Sequence, residues 1–168
     1  MNALVFNGTV IQVETTPFPV HPSLTWEPIP AGQTVAVGYS FANGTFSAPP
    51  APPAPTLAQQ AAAAIAAGLT ITSTSTPALN GTYAVASGVP FGREDIGTEA
   101  QFVSTFSEFT NGTTTLDWPL IDGKTFVTFP TTASFMAFAK AAAQFYAACK
   151  AVAATGAGSL PAASATIP

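Results

Sequence analysis

Pro49-Pro50-Ala51-Pro52-Pro53-Ala54-Pro55-Thr56 separates two stretches of different patterning. Five of the 16 prolines of this 168-residue chain stand in that run. Such a run favours polyproline II and acts as a semi-rigid spacer, reaching roughly 25 Å at ~3.1 Å per residue. The plainer alternative is a loop lying along a domain surface.

N-terminal to the run the signals are β. Leu4-Val5-Phe6 leads into Asn7-Gly8 and then Thr9-Val10-Ile11-Gln12-Val13. Asn-Gly is the preferred pair for a two-residue type I′ turn, so this reads as a hairpin. A segment punctuated by Phe18, Pro19, His21, Pro22 and Trp26 follows. The alternating residues 34–41 then approach Asn43-Gly44 and Thr45-Phe46, a second hairpin. Three or four strands are expected over residues 1–47.

C-terminal to the run the pattern changes. Thr56 caps a helix over Leu57–Ala67, and Gly68 stops it. Residues 70–74 are β-prone, and Asn80-Gly81 signals a third hairpin. Residues 88–97 read as a loop. Residues 98–109 read as a helix with Phe102, Val103, Phe106 and Phe109 inward, ended by Asn111-Gly112. Next come an arm over residues 113–118, the turn Asp122-Gly123 and an alternating return strand, 124–129. Pro130 stops that strand. Thr131 or Thr132 caps the longest helix, residues 133–154. On it Phe135, Phe138, Ala142, Phe145, Cys149 and Val152 follow an a/d heptad spacing.

These signs predict an α+β protein in four parts. Residues 1–48 form a small antiparallel β module and 49–56 a proline-rich spacer. Residues 57–154 form a hairpin-plus-helices module with a long Ala-rich last helix. Residues 155–168 form a flexible Ala/Gly/Ser/Pro tail, since they show no periodicity. The apolar face over residues 135–152 has two readings. It packs within the chain against residues 102–109 and the 118–129 hairpin, or it joins copies, as in a trimer. The first takes precedence.

Composition limits the chemistry. Only 7% of the residues are charged, against about a quarter in ordinary domains. The hydrophobic fraction is 48%, with 13 Phe, 3 Tyr and 2 Trp, so the chain can build cores. Much of its surface is then Ser, Thr, Asn, Gly, Ala and Pro. A free monomer with so few charges tends to associate, which implies cover by other protein. The four basic residues, Arg93, Lys124, Lys140 and Lys150, are scattered, whereas nucleic acid demands several phosphate contacts from one face. Neither nucleic acid nor an anionic membrane is an expected partner. The apolar stretch 61–68 is too short to span a bilayer. The first residues lack a basic n-region, so no secretory signal is expected and synthesis is assigned to a cytoplasm.

Candidate reactive groups are few. His21 is the single histidine and Cys149 the single cysteine, so neither a zinc cluster nor an internal disulfide is expected. Cys149 lies on the apolar stripe of the last helix, where it acts as a small hydrophobe. Glu94, Asp95 and Glu99 are the densest acidic group. They lack the ladder of a calcium loop and sit where carboxylates complement a helix N-terminus. No catalytic residue, cofactor or metal is assigned, and the chain is read as a non-enzyme. The four Asn-Gly-Thr tripeptides, at Asn7, Asn43, Asn80 and Asn111, read as turns rather than glycan acceptors. Trp26 and Trp118 are candidates for a sugar-stacking face, though core packing is the simpler use of Trp. With Phe135, Phe138 and Phe145 they are the candidate interaction residues.

Both halves carry a resemblance. Phe18-Pro19-Val20, Trp26, Gly38-Tyr39-Ser40-Phe41, Gly44 and Phe46, followed by prolines from Pro49, resemble short N-terminal modules of phage tail-associated proteins. Leu79-Asn80-Gly81-Thr82-Tyr83, Trp118-Pro119 with Asp122-Gly123, Phe129-Pro130-Thr131 and an Ala-rich helix reaching Tyr146 resemble a phage domain found at the C-terminal end of such proteins. The resemblance implies a structural role in the virion, in a tail, fibre, baseplate or head accessory, through contacts with other virion proteins. It carries over no catalytic residues. A tail-fibre assembly chaperone and a glycan- or receptor-binding module are the alternatives.

Overall fold

A computed structural model describes residues 1–168. Its three α-helices and ten strands make an α+β fold, as expected. The chain divides into two compact units, Met1–Pro53 and Ala54–Pro168. Residues 48–56 are exposed and carry no regular structure.

The first unit is one antiparallel sheet of five strands, in the order β3-β1-β2-β4-β5. Strands β1 (Asn2–Phe6) and β2 (Thr9–Glu14) form the first hairpin, and β4 (Ser40–Ala42) and β5 (Thr45–Ser47) the second. Their turns are as read. Asn7 and Gly8 lie at φ 47° and 74°, and Asn43 and Gly44 at 52° and 75°, the paired positive values of a type I′ turn. The additional strand is β3 (Thr25–Pro28), whose Trp26 stands opposite Leu4. Register shifts between Leu4 and Val5, where Ile11 is the extra residue on β2. That bulge brings Val10 and Val13, three apart, onto the core side of one strand. Ala3, Val5, Val10, Val35 and Phe46 form this unit's core.

Residues 34–39 do not extend as a strand. Their alternation predicts one face for Val35, Val37, Tyr39 and Phe41. The backbone instead turns at Gly38 (φ 91°), with Tyr39 N–H donating to Ala36 O, and Val37 points to solvent. The β pattern was real, but a glycine in the left-handed region broke it.

The second unit is built around α3 (Thr132–Thr155), capped by the Thr131 hydroxyl, which accepts from Ser134 N–H. Helix α1 (Leu57–Ala67) packs on it and has a full capping box, Thr56 with Gln59. Strands β6 (Leu69–Ser73), β7 (Gly81–Tyr83) and β10 (Ser164–Ile167) make a three-stranded sheet, order β10-β6-β7. Strands β8 (Leu116–Pro119) and β9 (Phe126–Phe129) make the expected hairpin. At its turn Asp122 accepts from Lys124 N–H, Thr125 N–H and the Thr125 hydroxyl. Those bonds hold its carboxyl down at about 2. The turn's contribution is therefore present above the ordinary carboxylate range and lost as pH falls toward 2.

The core is aromatic. Phe138 sits 4.5 Å from Tyr83 and 5.4 Å from Phe129, centroid to centroid, and Phe135 lies 5.3 Å from Trp118. The heptad face of α3 thus packs inside its own unit. Phe135, Phe138, Ala142, Phe145 and Cys149 are buried there. The trimer reading of that face is corrected accordingly: within one chain those side chains are already covered.

Three further expectations are corrected. Helix α2 spans Arg93–Phe106 rather than 98–109. Gly92 stands at the N-cap with no side-chain acceptor, and Asp95 in the first turn takes the Phe91 N–H just outside the helix at 2.6 Å. The inward face is Ile96, Glu99 and Val103, while Phe106 is 60% exposed. Ser107 in the left-handed conformation ends the helix, and Phe109 is buried beyond it. Asn80-Gly81 is not a tight turn: a 3-10 turn, Pro77–Leu79, makes the connection, and Asn80 Oδ1 accepts from Ser73 N–H. The region 155–168 is not a free tail. Residues 164–167 pair in parallel with β6, and Ile167 is 3% exposed.

Buried Tyr83 donates to Leu79 O at 2.6 Å, and burial pushes its phenol up to about 12. The folded state therefore keeps a proton that the unfolded chain releases near pH 10, so stability should fall between about pH 10 and 12. In urea titrations Tyr83→Phe should flatten that alkaline decline. An unchanged slope would assign the decline to other groups.

Candidate functional site

The sequence-predicted interaction residues do not come together on a surface. Trp118 is 5% exposed, and Phe135, Phe138 and Phe145 are core. Trp118 cannot offer its face to a sugar. Trp26 is half-buried, donates to Phe18 O at 2.9 Å and receives the Phe18 ring edge-on at 5.2 Å. His21 is exposed in a short turn, its Nδ1 accepting from Ser23 N–H with the Ser23 hydroxyl 2.9 Å away. Cys149 is buried, and burial pushes its thiol up, so it stays protonated.

The acidic group is also split up. Glu94 accepts from Gly88 N–H, and this bond above all pulls its carboxyl below the usual range. Asp95 holds Phe91 N–H. Buried Glu99 accepts from Thr110 N–H and, at 2.6 Å, from the Thr110 hydroxyl. Each carboxylate ties a neighbouring loop to α2.

Glu94 and Asp95 tie down the loop Gly88-Val89-Pro90-Phe91-Gly92. Gly92 N–H donates to Val89 O and Arg93 N–H to Ala86 O, closing the loop. At Gly92 a Cβ would lie 2.3 Å from Ala86 O, so no side chain fits. Phe91 sits at φ 56°, a left-handed conformation that costs a non-glycine residue about 1–3 kcal/mol. Two bonds and an edge-on contact of its ring with Trp118, at 5.4 Å, hold it there. The outcome is a fixed apolar tip: Val89 and Phe91 are 40% and 41% exposed.

Two apolar grooves flank the tip, and Val85 lines both. One, of about 490 Å³, runs between the loop and Pro119, Leu120 and Ile121, with Ile121 43% exposed. The other, of about 550 Å³, lies between α2 and α3 and is floored by Ile96, Ala100, Met136 and Ala143. At its rim the Arg93 guanidinium stacks on the Tyr146 ring at 4.6 Å and pairs with Glu94 at 3.9 Å.

No protein-family model, curated protein or solved structure matches this chain. The arrangement itself must therefore carry the functional argument. It presents exposed apolar groups on a pinned backbone, rimmed by Arg93, Glu94 and Asp95, and the apolar part of such a surface makes contacts by excluding water. Sequence reasoning passed over the tip by reading residues 88–97 as an ordinary loop. The available signal was an apolar triplet with a central proline, enclosed by two glycines.

Proposed function

We propose that the chain is a structural subunit of a bacteriophage particle, a component of a tail, fibre, baseplate or head accessory, acting through protein–protein contacts. The observation that carries the contact role is the pinned Val89-Pro90-Phe91 tip beside exposed Ile121. A fixed apolar surface loses little conformational entropy on binding, which favours docking onto another protein. The phage assignment is supported by the resemblance of residues 18–55 and 79–146 to tail-associated modules. In this reading the protein is made in the host cytoplasm, resides in the virion and has other virion proteins as neighbours.

Val89→Ser tests the contact role. Val89 is 40% exposed, so the unfolding temperature should shift by only a few degrees. Incorporation into particles, measured by quantitative mass spectrometry against wild type, should fall at least tenfold. Full incorporation of the variant would remove the tip from the interface.

A further inference from the structure

Strand β10 is bonded to the sheet along one edge only, that of β6. Thr70 N–H donates to Ala163 O and Thr74 N–H to Ile167 O, while the Ser73 hydroxyl donates to Pro168 O at 2.8 Å. Ile167 fills the core, Ala165 and Leu160 pack against it, and Ser164 and Thr166 face solvent. The acceptor is fixed independently of its occupant. Strand β6 is bonded to β7 on its other side, and Leu69 and Ile71 are fully buried.

The connection to the occupant differs. Residues 156–163 leave α3 without regular structure, and Gly156 and Gly158 lie at φ 63° and 90°. Residues 156–159 are exposed. Neither β6 nor residues 159–168 contain a charged side chain, so side chains of two copies can approach here without repulsion. A second copy's strand would meet the same donors and the same Ile167 pocket. The balance between closed and exchanged forms then depends only on the hinge and on local copy concentration.

We propose that the β6 edge is a strand-acceptor site, and that copies of this chain join by exchanging residues 160–168 across the 156–159 hinge. This stands apart from the phage reading, because it concerns the purified chain alone.

Deleting Ala157, Gly158 and Ser159 removes about 10 Å of reach, so β10 can no longer return to its own β6. Light scattering coupled to size exclusion should then show the shortened chain as dimers or larger closed assemblies at all concentrations, while the parent chain gains exchanged dimers as its concentration is raised. Adding Ile167→Asp to the deletion should return monomers. As a second arm, Ile167→Asp alone in the full chain should leave the β6 edge open. A synthetic peptide of residues 159–168, followed by fluorescence anisotropy, should bind this variant at least tenfold more tightly than the parent. Ile167→Ala serves if the aspartate variant fails to fold. A shortened chain that stays monomeric overturns the proposal, as does equal or absent peptide binding to both proteins. Unfolding of every variant would make β10 an inseparable part of the fold and overturn it as well.

Discussion

Phe138→Asp is expected to abolish folding of the second unit. Phe138 is fully buried among Tyr83, Phe129 and Phe135. Truncating a buried phenylalanine to alanine costs ~3–5 kcal/mol. A carboxylate at the same place adds a desolvation cost of several kcal/mol, with no cation packed nearby to offset it. The sum, roughly 6–10 kcal/mol, is comparable to the ~5–15 kcal/mol by which a domain of this size is stable. Near-ultraviolet circular dichroism should lose the aromatic signal of residues 83–138, and the helical signal should drop sharply. The first unit has its own core of Ala3, Val5, Val10, Val35 and Phe46, and its amide resonances should stay dispersed. A helical variant with a cooperative transition would mean that the α3 face serves contacts between chains instead.

The second large effect concerns Gly68, between α1 and β6. Its backbone lies at φ 85°, ψ −176°, a region that essentially only glycine occupies. A Cβ there would also stand 2.5 Å from Tyr83 O and 2.8 Å from Ile121 Cδ1. The first of these contacts is with backbone, which cannot rotate away. Gly68→Ala should therefore cost about 3 kcal/mol or more, seen as a fall in melting temperature of roughly 10 °C. Gly97→Ala is the matched control. Gly97 is exposed in the middle of α2, and a Cβ meets nothing within 4 Å. The substitution should stabilise by ~0.5–1 kcal/mol, because alanine loses less backbone entropy in a helix. Equal effects at both sites would contradict the assigned geometry of the α1–β6 junction.

Legibility followed how local each determinant was. Helices α1 and α3 were readable because their determinants are local: Thr56 and Gly68 bracket α1, and a threonine at 131 or 132 with the heptad spacing marks α3. The Asn7-Gly8 and Asn43-Gly44 hairpins were readable for the same reason. Asn80-Gly81 shares their dipeptide but not their conformation. At Gly81 the Leu120 side chain packs where a Cβ would stand, 2.6 Å from its Cδ2, a contact from a distant segment. Helix α2 starts five residues earlier than its sequence pattern suggests because its N-cap is Gly92, which offers no capping side chain to read. Strand β10 was hidden because it pairs in parallel with residues more than ninety positions away, and four residues give no usable period.

The candidate surface was legible only as composition. Low charge predicted that the surface would need cover, but aromatic size drew attention to Trp118, Phe135, Phe138 and Phe145. The folded chain uses those large rings for its own core. On and beside the braced loop, Val89, Phe91 and Ile121 stay exposed, as Phe106 and Phe126 do elsewhere. Exposure here depends on where glycines and carboxylates pin the backbone, which residue size does not reveal.

As a structural subunit, the chain would reside in the phage particle. Quantitative mass spectrometry of gradient-purified particles, set beside the lysate from which they came, tests it most directly. The chain is expected in the particles at a fixed ratio to the other virion proteins. A chain abundant in the lysate and missing from the particles would contradict it, and would point to an assembly chaperone instead.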